Sequence, residues 1–343
     1  MIKNYNFCSK ENEHGLFFSL VDYRNNYFIN SDPDKIIEFY NSFSDKSQLF
    51  DWMKERPKGN YVIKEVEGST EIIVVIPTID VDGQYAKNCK DNIFKGLHII
   101  FVESGYDNFY YNYAHNCNAG IKKALEYNPK WIIVSNDDMN KIDDIDVLTD
   151  FLKEKDPDDV SIVYPLKNEK HSVDTRLTYM GFTFKTVALF RDITFSGIKY
   201  YNILRKKQVL QKKFNCTLIT IRNKKYFKIL GKPKDTFFVG GALYICGRSL
   251  FLNNGITFDD TYINGLEDSD ISYTIFHNKI RAAYSNFGIG AQNGSSLGSY
   301  GVIQNHLLGF KTNKQNIHSG LSRELRELAN LVYFNYKIKN FLD

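Results

Sequence analysis

Two adjacent carboxylates, Asp137 and Asp138, follow the apolar run from Trp131 to Ser135, with Asn136 between the run and the acids. All three side chains offer hard oxygen donors, the kind that hold Mg²⁺ or Mn²⁺, and an ion held there would in turn hold a diphosphate. The same residues also suit a polar turn after a strand, because Asn and Asp are common turn formers. What separates the two readings is where the other acids fall. The run Ile72-Ile-Val-Val-Ile76 ends in Pro77-Thr78-Ile79-Asp80, and the run from Leu97 to Val102 ends in Glu103-Ser104. Successive runs thus stop on polar or acidic residues. As neighbouring parallel strands, they would bring their carboxyl ends to one crevice, where one carboxylate accepts from ribose hydroxyls or a base N–H while another holds metal.

The elements that must position these residues are legible in outline. Short β-branched runs bounded by polar residues read as buried parallel strands. A helix is expected from Tyr113 to Tyr127 and a further strand from Ser161 to Tyr164. Strands alternating with helices at this spacing predict an α/β fold: an open, doubly wound, mostly parallel sheet with helices on both faces. Residues 1–70 read as a small α+β appendage, with helical spacing over Asp34–Tyr40 and Asp45–Glu55 and alternation over Tyr61–Val66. The main domain is then 71–300, carrying an insertion over 174–234. Within the insertion, Ile198–Lys213 suits a helix, and Cys216–Ile221 with Tyr226–Leu230 suits a hairpin. Over 301–343, Leu325, Leu328, Val332 and Tyr336 recur at helical spacing, which predicts a C-terminal helix packed on the domain; a membrane-surface helix is the alternative.

Composition excludes several classes. Five cysteines without a Cys-x-x-Cys pair indicate neither a disulfide framework nor a zinc ribbon, and they read as reduced, mostly buried thiols. Seven scattered histidines without a His-x-x-x-His pair remove the helix-borne zinc hydrolase. With no signal-peptide core and no apolar run near the roughly 18 residues a span needs, a cytoplasmic protein is expected. Charge is unevenly placed: the stretch from Lys199 to Lys234 holds twelve of the 44 basic residues and none of the 40 acidic ones. Such a block suits a solvated face. It equally suits an anionic partner, including peripheral contact with a membrane surface. Nucleic acid is not expected, since no recognition motif accompanies the block.

The strand-end sequences, together with Asn118-Ala-Gly120-Ile-Lys-Lys-Ala124, resemble the nucleotide-binding half of family 2 glycosyltransferases with a GT-A fold. Downstream, Phe238-Val-Gly240-Gly241-Ala, Gly255-Ile-Thr-Phe258-Asp259 and Gly265-Leu-Glu267-Asp268-Ser-Asp270 resemble the acceptor half. The order and spacing of the motifs match over roughly residues 71–300. The resemblance implies an inverting, hexosyltransferase-like enzyme that uses a nucleoside-diphosphate sugar, a Mn²⁺ or Mg²⁺ cofactor, and a glycan, lipid-linked or protein acceptor. It implies that Thr78 and Asp80 line the base and ribose pocket, with Glu103 where the family usually has an Asp. Asn118, Gly240 and Gly241 would also border the nucleotide sugar. Asp138 would be the principal metal ligand, joined by Asn136, and Asp137 would contact ribose or complete the shell through water. Asp268 would be the general base and Glu267 its catalytic companion.

The chain departs from the family pattern twice. Asn136 takes the first position of an Asp-x-Asp motif, and Gln292 stands near where a metal-binding His is usual. Two alternatives therefore remain: a sugar nucleotidyltransferase, disfavoured by the absence of a Gly-rich basic loop after the first strand, and a non-catalytic nucleotide-sugar or glycan-binding module.

Overall fold

The structure, a computed structural model, describes residues 23–30, 32–106, 108–165, 172–178, 198–214, 219–221, 237–240, 242–291 and 317–342. The chain opens with helices α1 (Pro33–Asn41) and α2 (Lys46–Glu55). Both begin where an aspartate caps orphan amides: Asp32 accepts from Asp34 N, and Asp45 from Ser47 N and Gln48 N. Strands β1 (Val62–Val66) and β2 (Ser69–Thr78) follow, then α3 (Gln84–Asn88), which runs into a π turn at Cys89–Ile93. Next come β3 (Leu97–Glu103), α4 (Tyr113–Leu125), β4 (Trp131–Ser135), β5 (Met139–Lys141), α5 (Ile145–Lys153) and β6 (Ile162–Pro165). The remaining elements are β7 (Ser172–Thr178), α6 (Ile198–Lys213), β8 (Ile219–Ile221), β9 (Phe237–Gly240), β10 (Leu243–Gly247), α7 (Arg248–Leu252), α8 (Glu267–His277), β11 (Ala282–Ser285), β12 (Ile289–Ala291) and α9 (Ile317–Leu342).

Seven strands form one sheet in the order β1-β3-β2-β4-β10-β6-β11. β2 is parallel to both β3 and β4, so the three acid-ending runs are neighbours. The central strands are apolar on both faces because each face is covered. Ile72, Val74 and Ile76 pack with α3 and α5; Ile73 and Val75 pack with α4 and α8. The α/β sheet flanked by helices, compatible with a Rossmann-like fold, is as expected, with β2, β3, β4, β6 and β11 running one way; it is also mixed, since β1 is antiparallel to β3, and β10 runs antiparallel between β4 and β6. Local hydrophobicity marks a strand but not its direction.

Gly120 sets the distance between α4 and the sheet. A Cβ there would stand 2.3 Å from Val75 Cγ1 and 2.9 Å from Val102 Cγ2. Ala would recover roughly 1 kcal/mol of helix propensity, so valine is the cleaner probe. Gly120→Val is expected to cost about 2 kcal/mol or more by overpacking, read from the urea midpoint.

The chain ends are organised differently from the expectation. β1 pairs with β3 from Val62↔Glu103 to Val66↔Ile99, so the boundary set at residue 70 falls inside the sheet. α1 and α2 pack against the C-terminal helix: Phe39, Tyr40, Leu49 and Trp52 share one core with Leu325, Leu328 and Val332 of α9. The Tyr40 hydroxyl donates to Leu325 O (2.6 Å) and accepts from Ala329 N (2.9 Å). α9 thus packs as predicted, although Tyr336 remains 39% exposed. α6 closes the same core through Leu210 and Phe214, and its lysines are partly spent on it: Lys206 pairs with Asp34, and Lys213 donates to Phe43 O. β8 pairs antiparallel with β7, while the second arm of the expected hairpin, Tyr226–Leu230, lies outside the described residues. Cys89, Cys117 and Cys246 are buried free thiols. No helix among the described residues is long and apolar enough to cross a membrane.

Candidate functional site

The parallel register brings the ends of β2, β3 and β4 to one edge. Thr78 pairs with Glu103, and Ser104 N donates to Thr78 O at 2.9 Å. The Thr78 hydroxyl donates to Asp137 Oδ2 at 2.8 Å, joining the first run to the third. Asp80 is held in the turn by Asp82 N on Oδ1 (2.9 Å) and by the Tyr106 hydroxyl on Oδ2 (3.4 Å). Glu103 Oε2 accepts from Val81 N (2.8 Å) and from Lys64 (2.9 Å). Thr78, Asp80, Glu103 and Asp137 therefore form one connected polar edge.

The Asn136-Asp137-Asp138 turn is fastened from behind. Asn136 N donates to Ala242 O (2.9 Å), the Cys89 thiol to Asp137 O (3.2 Å), and Asn88 Nδ2 to Met139 O (2.9 Å). Beyond it, β5 pairs with β12, with Met139 opposite Ala291. Both aspartates are buried, Asp137 at 3% exposure and Asp138 at 4%. Their charge is felt nearby: burial first, then Asp138 and Asp137, pushes the Tyr85 phenol up, and burial followed by the same two carboxylates pushes the Cys89 thiol well up. Both groups stay protonated. Tyr85, Asn88 and Cys89 escaped the sequence reading because nothing in the spacing of Gln84–Cys89 marks it as the buttress of a turn some fifty residues on.

Asp138 and the Asn136 side-chain oxygen suit a hard cation. Among the described residues no group of three or more His, Cys, Asp or Glu is arranged to hold a metal. A Mg²⁺ ion commonly rests on one or two carboxylates plus substrate phosphates and water, so this donor set fits an ion completed by a diphosphate. Gln292 and Gly241 lie outside the described residues. Gly240 ends β9, opposite Ser172 and two residues ahead of Ala242.

Glu267 and Asp268 open α8, where the helix dipole favours negative charge. Asp268 is half-buried, and its Oδ1 accepts from Ser269 N at 2.7 Å. Glu267 is buried; desolvation, followed by the charge of Asp268, pushes its acid up to about 8. Tyr244 of β10 feels both carboxylates and stands opposite Val134, two residues before Asn136. That pairing ties the start of α8 to the acid edge. Asn118 is not at this edge in the same sense. Its amide clamps the Phe258 backbone in both directions, Nδ2 to O at 2.7 Å and Oδ1 from N at 3.1 Å, so it ties α4 to the segment before α8.

Fold and site together define an α/β protein whose mixed sheet, compatible with a Rossmann-like fold, carries a buried acidic turn at the carboxyl edge of its central strands. Neither protein-family models nor curated protein sequences match the chain. Function must therefore be argued from the site, since fold alone does not imply it.

Proposed function

We propose that the protein is a metal-dependent, inverting glycosyltransferase of the GT-A, family 2 type, which moves a sugar from a nucleoside-diphosphate sugar to an acceptor hydroxyl. The observation that carries this reading is the buried Asp137–Asp138 turn, hydrogen-bonded to Thr78 and flanked by Asp80 and Glu103 at one sheet edge. Asp80 would accept from ribose hydroxyls, and Glu103, with Oε2 occupied, would accept a base N–H at Oε1. Asp138 and Asn136 would hold a Mn²⁺ or Mg²⁺ ion, which would neutralise charge on the departing diphosphate. Asp268, with Oδ1 capping its own helix, would take the acceptor proton at Oδ2 as the hydroxyl attacks the anomeric carbon from the face opposite the leaving group. Inversion follows from that single in-line displacement. The acceptor hydroxyl would belong to a glycan, a lipid-linked sugar or a protein.

Thermal stabilisation tests the donor class, because a ligand that binds only the native state raises the melting point. UDP, GDP, dTDP and CMP are each compared with Mn²⁺, Mg²⁺ or EDTA. One nucleoside diphosphate is expected to stabilise the protein in a metal-dependent way, and Asp138→Ala is expected to abolish that shift. A wild-type protein indifferent to all four nucleotides would remove the reading.

A further inference from the structure

Glu267 opens α8 buried, and among the described residues no cation pairs with it. Its Oε2 is buried and has no hydrogen-bond partner. Asp270, one turn further in and also buried, takes Lys337 at 2.8 Å. Around Glu267 the polar groups are likewise orphaned. Tyr244 of β10 and Ser272 of α8 are neighbours, yet neither hydroxyl makes a hydrogen bond of proper geometry. Cys117 of α4 lies within electrostatic reach of Glu267, and the Tyr113 hydroxyl of the same helix, next to Cys117, is buried without a hydrogen bond of proper geometry. Three elements, α4, β10 and α8, thus turn unsatisfied donors and acceptors inward, whereas buried polar groups in folded proteins are generally hydrogen-bonded.

We propose that Glu267 is not a second catalytic carboxylate but a positioning residue: an uncharged, hydrogen-bonding anchor that seats the first turn of α8 in this buried polar cluster and thereby sets Asp268. The inference rests on the role given to Asp268 above. An anion at Glu267 would face Asp268 and Asp270 on its own helix; the backbone amides of Glu267 and Gly265 favour the charge without offsetting burial, and the packed elements bring the Cys117 thiol, the Tyr113 phenol next to it and the Tyr244 phenol. Those three groups are themselves pushed well up by burial, so none supplies or balances a charge. The uncharged acid can donate to one neighbour and accept from another, which the anion cannot. With Glu267 neutral, Asp268 shares the favourable end of the helix dipole only with the Lys337-paired Asp270, neighbouring carboxylates being given different roles by their environments.

Sign and window follow from the same site. Glu267 goes from an ordinary 4.5 to about 8 on folding, so over that range the native state holds the extra proton. Its contribution to stability is complete below the lower value and is lost as pH rises through the upper one. The test compares wild type with Glu267→Gln, an uncharged isostere, by urea unfolding of the full chain from pH 5 to 9. The unfolding constant of wild type relative to the variant is expected to rise by up to about tenfold per pH unit until near pH 8 and then to level. Parallel curves, or a variant that fails to fold, would overturn the proposal. This readout needs no transfer, so it stands or falls apart from the glycosyltransferase reading. Where transfer is measurable, Glu267→Ala should lower kcat by about tenfold with donor KM little changed. Glu267→Gln should then recover most of that loss and move the alkaline limb of the pH profile upward; equal loss in both variants would overturn the positioning role.

Discussion

Asp268→Asn is expected to lower sugar transfer by about 10²–10⁴-fold while nucleotide-sugar binding persists, the range typical of losing a positioned general base. Asparagine keeps the oxygen that caps Ser269 N, so the first turn of α8 survives. It replaces the proton-accepting carboxylate oxygen by an amide nitrogen, which cannot accept a proton. The effect should therefore fall on kcat, with the metal-dependent thermal shift preserved. The competing explanation for an acid at this position is the helix dipole alone, worth only about 0.3–1 kcal/mol of stability and nothing in turnover. A substitution with near-normal kcat and a slightly lower melting point would favour that explanation and end the assignment of Asp268 as base.

Lys337→Met is the substitution expected to cost the fold most. Lys337 of α9 reaches Asp259 Oδ2 at 2.7 Å and Asp270 Oδ2 at 2.8 Å, and the Tyr333 and Tyr262 hydroxyls complete the two carboxylates. Burial works to raise Asp259, but Lys337 and Thr261 outweigh it and hold the acid below its usual range. At Asp270 burial prevails over the same lysine, and the acid is raised. Removing the cation strands two buried carboxylates together. Breaking such a pair costs about 3–5 kcal/mol, and the one-fifth exposure of Lys337 and Asp259 argues for the lower end, about 3 kcal/mol. The deficit should shrink as pH falls, because protonating Asp259 and Asp270 relieves the unpaired charge in the variant. Urea unfolding at neutral and acidic pH reads both effects. A loss below about 1 kcal/mol, or one independent of pH, would show that the network contributes little. Asp270 lies two residues after Asp268, so the same lysine braces the helix that carries the proposed base.

Much of the polar edge was legible because each strand announces its own end. Apart from His98, Ile72–Ile76, Leu97–Val102 and Trp131–Val134 are β-branched or apolar on both faces, and the chain turns polar where each leaves the sheet. α6 begins and ends where its spacing predicted, at Ile198 and Lys213. Asn118 and Asp259 were legible as motif residues but not in what they do: one clamps Phe258, the other receives Lys337.

Local pattern alone determined that this is an α/β chain with strands ending on Thr78–Asp80, Glu103 and Asp137–Asp138, since burial periodicity and turn chemistry are properties of a few consecutive residues. Tertiary structure decided everything that depends on a distant partner. It set β10 antiparallel against β4, and it joined the helices near the two chain ends through Tyr40 and Leu325. It also put Tyr85 and Cys89 beside the acidic turn, and it gave Asp270 a cation while leaving Glu267 among orphaned hydroxyl groups. Whether a carboxylate is a base, an ion-pair partner or a neutral anchor depends on what lies within hydrogen-bond reach. For residues 67 to 285 positions apart in sequence, only the packed chain settles that.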